Sequence, residues 1–235
     1  MVFVVGYALH RALLTRVTGI RVVAAEAEGH YAQLILTLGI SLVIQNGGLI
    51  VFGSTPQLVR TPLASRAWEI GPFFGDYGSV FVNQARTYSC LVAVAVLVGL
   101  FLFMNRTRLG KALRAAADDP EAATYMGIDV DRAHRLAFAL GVGITAVAGG
   151  LVGTYYPFQP YVGLEFVIIM YAGVVLGGMG STLGAFLGGL TIGFVQQLSV
   201  LVLPTQLQNT AIFVVFLLIV MLRPQGLFGR SAERT

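Results

Sequence analysis

The sequence predicts an all-α protein, a polytopic transmembrane helical bundle with a glycine-rich break between two late helices. Three observations predict it. Of 235 residues, 56% are hydrophobic and only 11% charged, where a soluble domain carries about 25% charged residues. The apolar residues gather into runs that reach across roughly 30 Å of hydrocarbon at about 1.5 Å per helical residue. The longest run is interrupted by Gly177, Gly178 and Gly180, and clustered glycines break a helix.

Residues 1–9 are apolar apart from Gly6 and Tyr7, yet nine residues cannot cross a bilayer. They carry neither the charged start nor the small-residue cleavage site of a signal peptide, so they read as the remainder of a span. The first complete span is 31–52, with Thr37, Ser41, Gln45 and Asn46 inside it. Thr37, Ser41 and Gln45 recur every four residues and share a face. Polar side chains in a span face protein or a cavity, so interhelical hydrogen bonding and a solute path both stay open.

Residues 53–86 form a longer polar connection containing Pro56, Pro62 and Pro72, with Trp68, Phe73 and Phe74 suited to a membrane interface. The second span is 87–104. It holds Cys90, the only cysteine, which excludes a disulfide framework and a thiolate metal site and reads as a buried, inert thiol.

The segment 105–135 is densely charged, with Arg106, Arg108, Lys111, Arg114, Arg132 and Arg135 against Asp118, Asp119, Glu121, Asp129 and Asp131. Such a segment sits in water. Its middle predicts a short helix: Asp119 caps it, Pro120 suits the first position, Glu121 favours the positive end, and Gly127 closes it. Ala122, Tyr125 and Met126 then share one face and make a small apolar knob. Two readings are open, a solvated loop helix packed on its own protein and a docking helix for a partner.

The third span is 136–156. Its Gly141, Gly143, Gly149, Gly150 and Gly153 suit close helix contact, and Pro157 and Pro160 follow, with Tyr155, Tyr156 and Tyr161 as interfacial aromatics. Glu165, the one charge between Leu136 and Leu222, fits a helix start. Spans at 166–176 and 182–203 flank the glycine cluster and Ser181, either as two crossings joined by a tight turn or as a re-entrant pair. A last span, 209–222, ends at Arg223-Pro224.

Basic residues near span ends stay in the cytoplasm. One side carries Arg11, Arg16, Arg21, the six of 105–135, Arg223, Arg230 and Arg234, and the other only Arg60, Arg66 and Arg86. That makes 105–135 and the C-terminus cytoplasmic. It also accounts for the net charge of +4 without a nucleic-acid surface. His10, His30 and His134 are scattered, so no catalytic dyad or metal site is expected, and no nucleotide-binding G-x-x-x-x-G-K-[ST] loop occurs. Ionisable residues within spans, the mark of proton-driven carriers, are essentially absent. A passive pore, or a permease powered by another subunit, remains.

Four ordered blocks resemble the membrane subunits of branched-chain amino acid ABC importers. They are LTLGISLVIQN at 36–46, GKALRA at 110–115 leading to Gly127-Ile128, LGGMGS at 176–181 leading to Gly184-Ala185, and RPQGLFG at 223–229. The first and last favour the LivH-type subunit over its LivM-type partner. Glu121-Ala122-Ala123 followed by Gly127 resembles the E-A-A-x-x-x-G signature, whose helix docks on the ATPase. The downstream Ile-x-Leu-Pro of the fuller signature is replaced here by Ala137-Phe138-Ala139-Leu140.

The resemblance implies a single ABC-importer permease domain over 1–235, lacking N-terminal spans, in a bacterial-type inner membrane. It implies ATPase coupling through Glu121, Ala122, Ala123, Tyr125, Met126 and Gly127, and a translocation pathway shaped by Gly177, Gly178, Gly180 and Ser181. The implied partners are two ATP-binding subunits at the cytoplasmic face, a second permease subunit, a periplasmic solute-binding protein and a small neutral amino acid. No cofactor and no covalent chemistry are expected of the chain itself. The alternative from another class is a self-contained channel or structural integral membrane protein without an ATPase.

Overall fold

The computed structural model describes residues 1–14, 26–59, 62, 66–70, 80–178, 180–204, 207–223 and 226. The expected interfacial Phe73 and Phe74, Met179 of the glycine cluster, most of the 223–229 block and the basic residues Arg16, Arg21, Arg60, Arg230 and Arg234 lie outside the described residues. The chain divides into two compact units, Met1–Pro160 and Tyr161–Thr235.

The first unit is built of α1 (Val2–Leu9), continued by one π-turn over His10–Leu14, α2 (Glu26–Phe52), strands β1 (Ala67–Ile70) and β2 (Val80–Asn83), α3 (Gln84–Arg106), α4 (Arg108–Asp118), α5 (Pro120–Tyr125) and α6 (Val130–Val152). α1 packs antiparallel on α6. A Cβ on Gly6 would touch Val142 at 3.0 Å, so glycine lets the two backbones approach, and the His10 ring tilts against Phe138 at 5.4 Å.

Helix limits are set by caps as well as by apolarity. α6 begins at Val130, ahead of the apolar run at 136, because the Asp129 carboxylate accepts the Arg132 amide proton at 2.9 Å. α3 likewise starts at Gln84 behind Asn83, which accepts from the Arg86 amide. α6 stops at Val152, before the expected Tyr156, with Gly153 at its cap.

The connection expected at 53–86 contains the antiparallel pair β1–β2, with Trp68 opposite Val82 and Glu69 opposite Phe81. Trp68 meets Tyr88 edge to face at 5.7 Å, and the Arg86 guanidinium sits over the Tyr155 ring. Gln57 and Phe158 exchange backbone hydrogen bonds of 2.8 and 2.7 Å, tying the end of α2 to the segment after α6. Cys90, expected to be buried, lies on an exposed face of α3.

The second unit consists of α7 (Val162–Gly177), α8 (Thr182–Val202) and α9 (Gln208–Leu222), around a core of Ala172, Leu176, Ile192 and Ile212. Among the described residues four helical stretches are long and apolar enough to cross a membrane: Gln33–Phe52, Gln84–Arg106, Val130–Val152 and Thr182–Val202. α7 and α9 are apolar but shorter. Large exposed apolar side chains run along all of them, Ile35, Val43 and Ile50 on α2 for example. A surface of that kind suits lipid or other protein rather than water.

Candidate functional site

The charged segment folds into three helices with a small core of their own. Leu113, Ala116, Ala123 and Ala133 are buried together, and Phe103, Met104, Ile128, Val130, Leu136 and Leu140 close over them. α4, a helix within the expected loop, is amphipathic: Gly110, Leu113 and Ala116 face inward while Lys111 and Arg114 are exposed. Thr107 ends α3 and starts α4, accepting from the Gly110 amide at 3.0 Å. Gly110 is itself a packing residue, because a Cβ there would overlap the Phe103 carbonyl oxygen and Met104 Cα. The missed signal was this Thr107 cap ahead of an inward stripe at every third residue.

On this base sits α5. Asp119 Oδ1 accepts from the Ala122 amide at 3.0 Å, Pro120 opens the helix, and Glu121 lies in the first turn. Gly127, at φ +78°, ends it, and the Ile128 amide reaches back to the Ala123 carbonyl at 3.0 Å. Both ends are thereby fixed. Ala123 is 4% exposed and anchors the helix to the core, whereas Tyr125 and Met126 are 87% and 81% exposed. Ala122 and Glu121 are exposed as well. A six-residue helix is marginal by itself in water; the caps and the Ala123 contact hold it.

The glycine cluster has a different geometry. α7 ends at Gly177 and α8 begins at Thr182, where the Ser181 hydroxyl accepts from the Gly184 amide at 3.0 Å. Gly178 and Gly180 have φ of +99° and +90°. The two helices return antiparallel on each other: a Cβ on Gly177 would overlap the Gly184 carbonyl oxygen, and one on Gly188 would overlap that of Gly173. Gly226, at φ +81°, sits against Gly178 and the Val175 carbonyl, with about 2.7 Å available to a Cβ. In α6, Gly141, Gly149 and Gly150 face open space among the described residues and a Cβ on Gly143 would meet the Phe3 side chain at 3.8 Å, whereas α7 and α8 approach backbone to backbone.

The polar residues of α2 make their hydrogen bonds along their own helix. Thr37 donates to the Leu34 carbonyl at 2.9 Å, Gln45 to the Ser41 hydroxyl at 3.0 Å and Asn46 to the Leu42 carbonyl at 2.8 Å. They form one group on α2, and the glycine cluster forms another in the second unit. Among the described residues no group of three or more His, Cys, Asp or Glu is placed to hold a metal ion.

The family described as branched-chain amino acid transport system / permease component matches residues 6–222. The chain belongs to this permease family. It is 32% identical over 198 residues to the high-affinity branched-chain amino acid transport system permease protein LivH of Escherichia coli K12, covering 84% of this chain and 63% of that protein. BraD of Pseudomonas aeruginosa, a permease protein of the same description, is 32% identical over 201 residues, 84% of this chain and 64% of its own length. The fructose import permease protein FrcC of Rhizobium meliloti is 30% identical over 193 residues, 79% of this chain and 52% of its own. No solved structure matches. The match thus spans 52–64% of the length of the curated relatives named here. These relatives are transport permease components, and this family member is a LivH-type, multi-pass protein of the inner membrane.

Proposed function

We propose that the chain is a transmembrane permease subunit of an ATP-binding-cassette importer, carrying branched-chain or other neutral amino acids and coupling their passage to ATP hydrolysis in partner subunits. One observation carries this reading: a short helix, fixed at both ends by Asp119 and Gly127 and anchored by Ala123, presents Tyr125 and Met126 outward. A knob that is rigid and apolar at its tip suits docking into a groove of another protein. In this reading 105–135 is cytoplasmic, and two ATP-binding subunits meet it through Glu121, Ala122, Ala123, Tyr125, Met126 and Gly127.

A second permease subunit completes the pore, and a periplasmic solute-binding protein delivers the solute. Thr37, Ser41, Gln45 and Asn46 line the route, and Gly177, Gly178, Gly180 and Ser181 shape its break. The chain performs no covalent chemistry and needs no cofactor. Relatives named for fructose and for branched-chain amino acids support transport more broadly than any one solute. They also favour the importer over a self-contained channel.

Mild-detergent extraction from the native membrane tests the proposal. The importer reading predicts that ATP-binding subunits copurify and that Tyr125→Ala together with Met126→Ala releases them. A chain that conducts solute in vesicles without any ATPase would contradict it.

A further inference from the structure

Charge collects where the C-terminal end of α1 meets the N-terminal end of α6. His134, Arg135 and Asp131 lie near enough to His10 for their fields to act on it, and Arg11 follows on an exposed face. Arg135 and Asp131 thus bring one charge of each sign to this junction. Arg135 is half-buried, and its Nε is withdrawn from solvent with no hydrogen-bond partner among the described residues.

One turn further along α6, the same two helices open into an apolar cleft. It has a volume of about 470 Å³ and is lined by Val2, Phe138, Gly141, Val142, Thr145 and Ala146. The one hydroxyl in this lining, that of Thr145, already donates to the Gly141 carbonyl at 2.9 Å. Phe138 joins the two regions, its ring tilted against His10 on one side and lining the cleft on another.

We propose that this cleft holds an anionic glycerophospholipid, its phosphate at Arg135 and one acyl chain along residues 138–146. The chemistry is complementary at both ends. A guanidinium binds phosphate through paired N–H donors, and an apolar cleft at membrane depth suits a hydrocarbon chain. A neutral solute would offer Arg135 no acceptor of opposite charge, and a soluble anion would leave the apolar cleft unfilled. The lipid comes from whichever leaflet meets the N-terminal end of α6, so the proposal does not depend on the sidedness or on the transported solute.

The test is native mass spectrometry of the full chain, stripped of lipid and then offered dioleoylphosphatidylglycerol, dioleoylphosphatidylcholine or inorganic phosphate. Phosphatidylglycerol should be retained ahead of phosphatidylcholine. Arg135→Gln should lower its retention about fivefold, the effect of one basic charge at an anionic headgroup. Gly141→Leu, whose side chain enters open space in the cleft, should lower retention with no change of charge, and Arg66→Gln should leave it unchanged. Equal retention of phosphatidylcholine, retention of phosphate without lipid, or unaltered phosphatidylglycerol binding in both Arg135→Gln and Gly141→Leu would overturn the proposal.

Discussion

Gly177 and Gly184 stand backbone to backbone, so close that a Cβ on either residue would overlap the other's carbonyl oxygen. The contact lies beside the break between α7 and α8 and locks the two helices together without side chains. Small residues serve this purpose in membranes, where lipid is as apolar as Leu and helices associate through close packing.

Alanine substitutions should therefore separate the glycines by their surroundings. Gly177→Ala and Gly184→Ala force backbone displacement and should each cost about 1–3 kcal/mol, as overpacking does. Gly180→Ala has space but keeps φ at +90°, so a cost of about 1 kcal/mol is expected. Gly149→Ala enters open space in a helix and should be neutral or slightly stabilising. Thermal stability of the detergent-solubilised variants, followed by the monodisperse fraction, gives the order; equal effects at Gly177 and Gly149 would contradict it.

Sidedness yields a second prediction. In a Cys90→Ser background, Asp118→Cys should react with an impermeant maleimide only from the cytoplasmic side and Thr55→Cys only from the outside, both positions being exposed. The background substitution is necessary because Cys90 is itself exposed on α3. Labelling of Asp118→Cys from outside would reverse the assigned orientation.

The cap predicts a third outcome. Asp119→Ala removes the acceptor of the Ala122 amide and should cost α5 about 1 kcal/mol. Gly127→Val places a β-branched residue at φ +78°, where strain of about 1–3 kcal/mol is expected. Both should raise protease sensitivity between Asp118 and Val130 while leaving the helix content of the protein unchanged. A variant as resistant as the parent would show that the caps do not hold the helix.

Most of the α-helical architecture was legible because membrane helices are written in long apolar runs and the α5 ends in cap chemistry. Asp119, Pro120 and Gly127 are recognisable one residue at a time, and the exposed pair Tyr125 and Met126 followed from helical spacing. α4 was not legible in the same way. Its inward face is made of Gly110, Leu113 and Ala116, too small to raise the hydropathy of a stretch rich in Arg and Lys. The start of α6 was missed because Asp129 sets it, six residues or so before apolarity does. The pairing of Gly177 with Gly184 depends on how two helices return on each other, and single-residue reading sees glycines without their partners. Cys90 was misjudged for a related reason: an apolar run signals membrane, and which face of the helix meets protein is settled by packing.

In the proposed importer, α5 passes the state of an ATPase partner to the membrane helices. The most direct measurement is solute-stimulated ATPase activity in the reassembled transporter, with variants that alter the exposed tip and leave the Ala123 anchor in place. Tyr125→Ala combined with Met126→Ala, and separately Glu121→Lys, should insert at normal levels yet lose stimulated activity and uptake together by about tenfold or more, the loss expected when interface anchors are removed. Stimulated activity and uptake at the parent level in both variants would contradict the claim and leave α5 as a capped helix packed on its own protein.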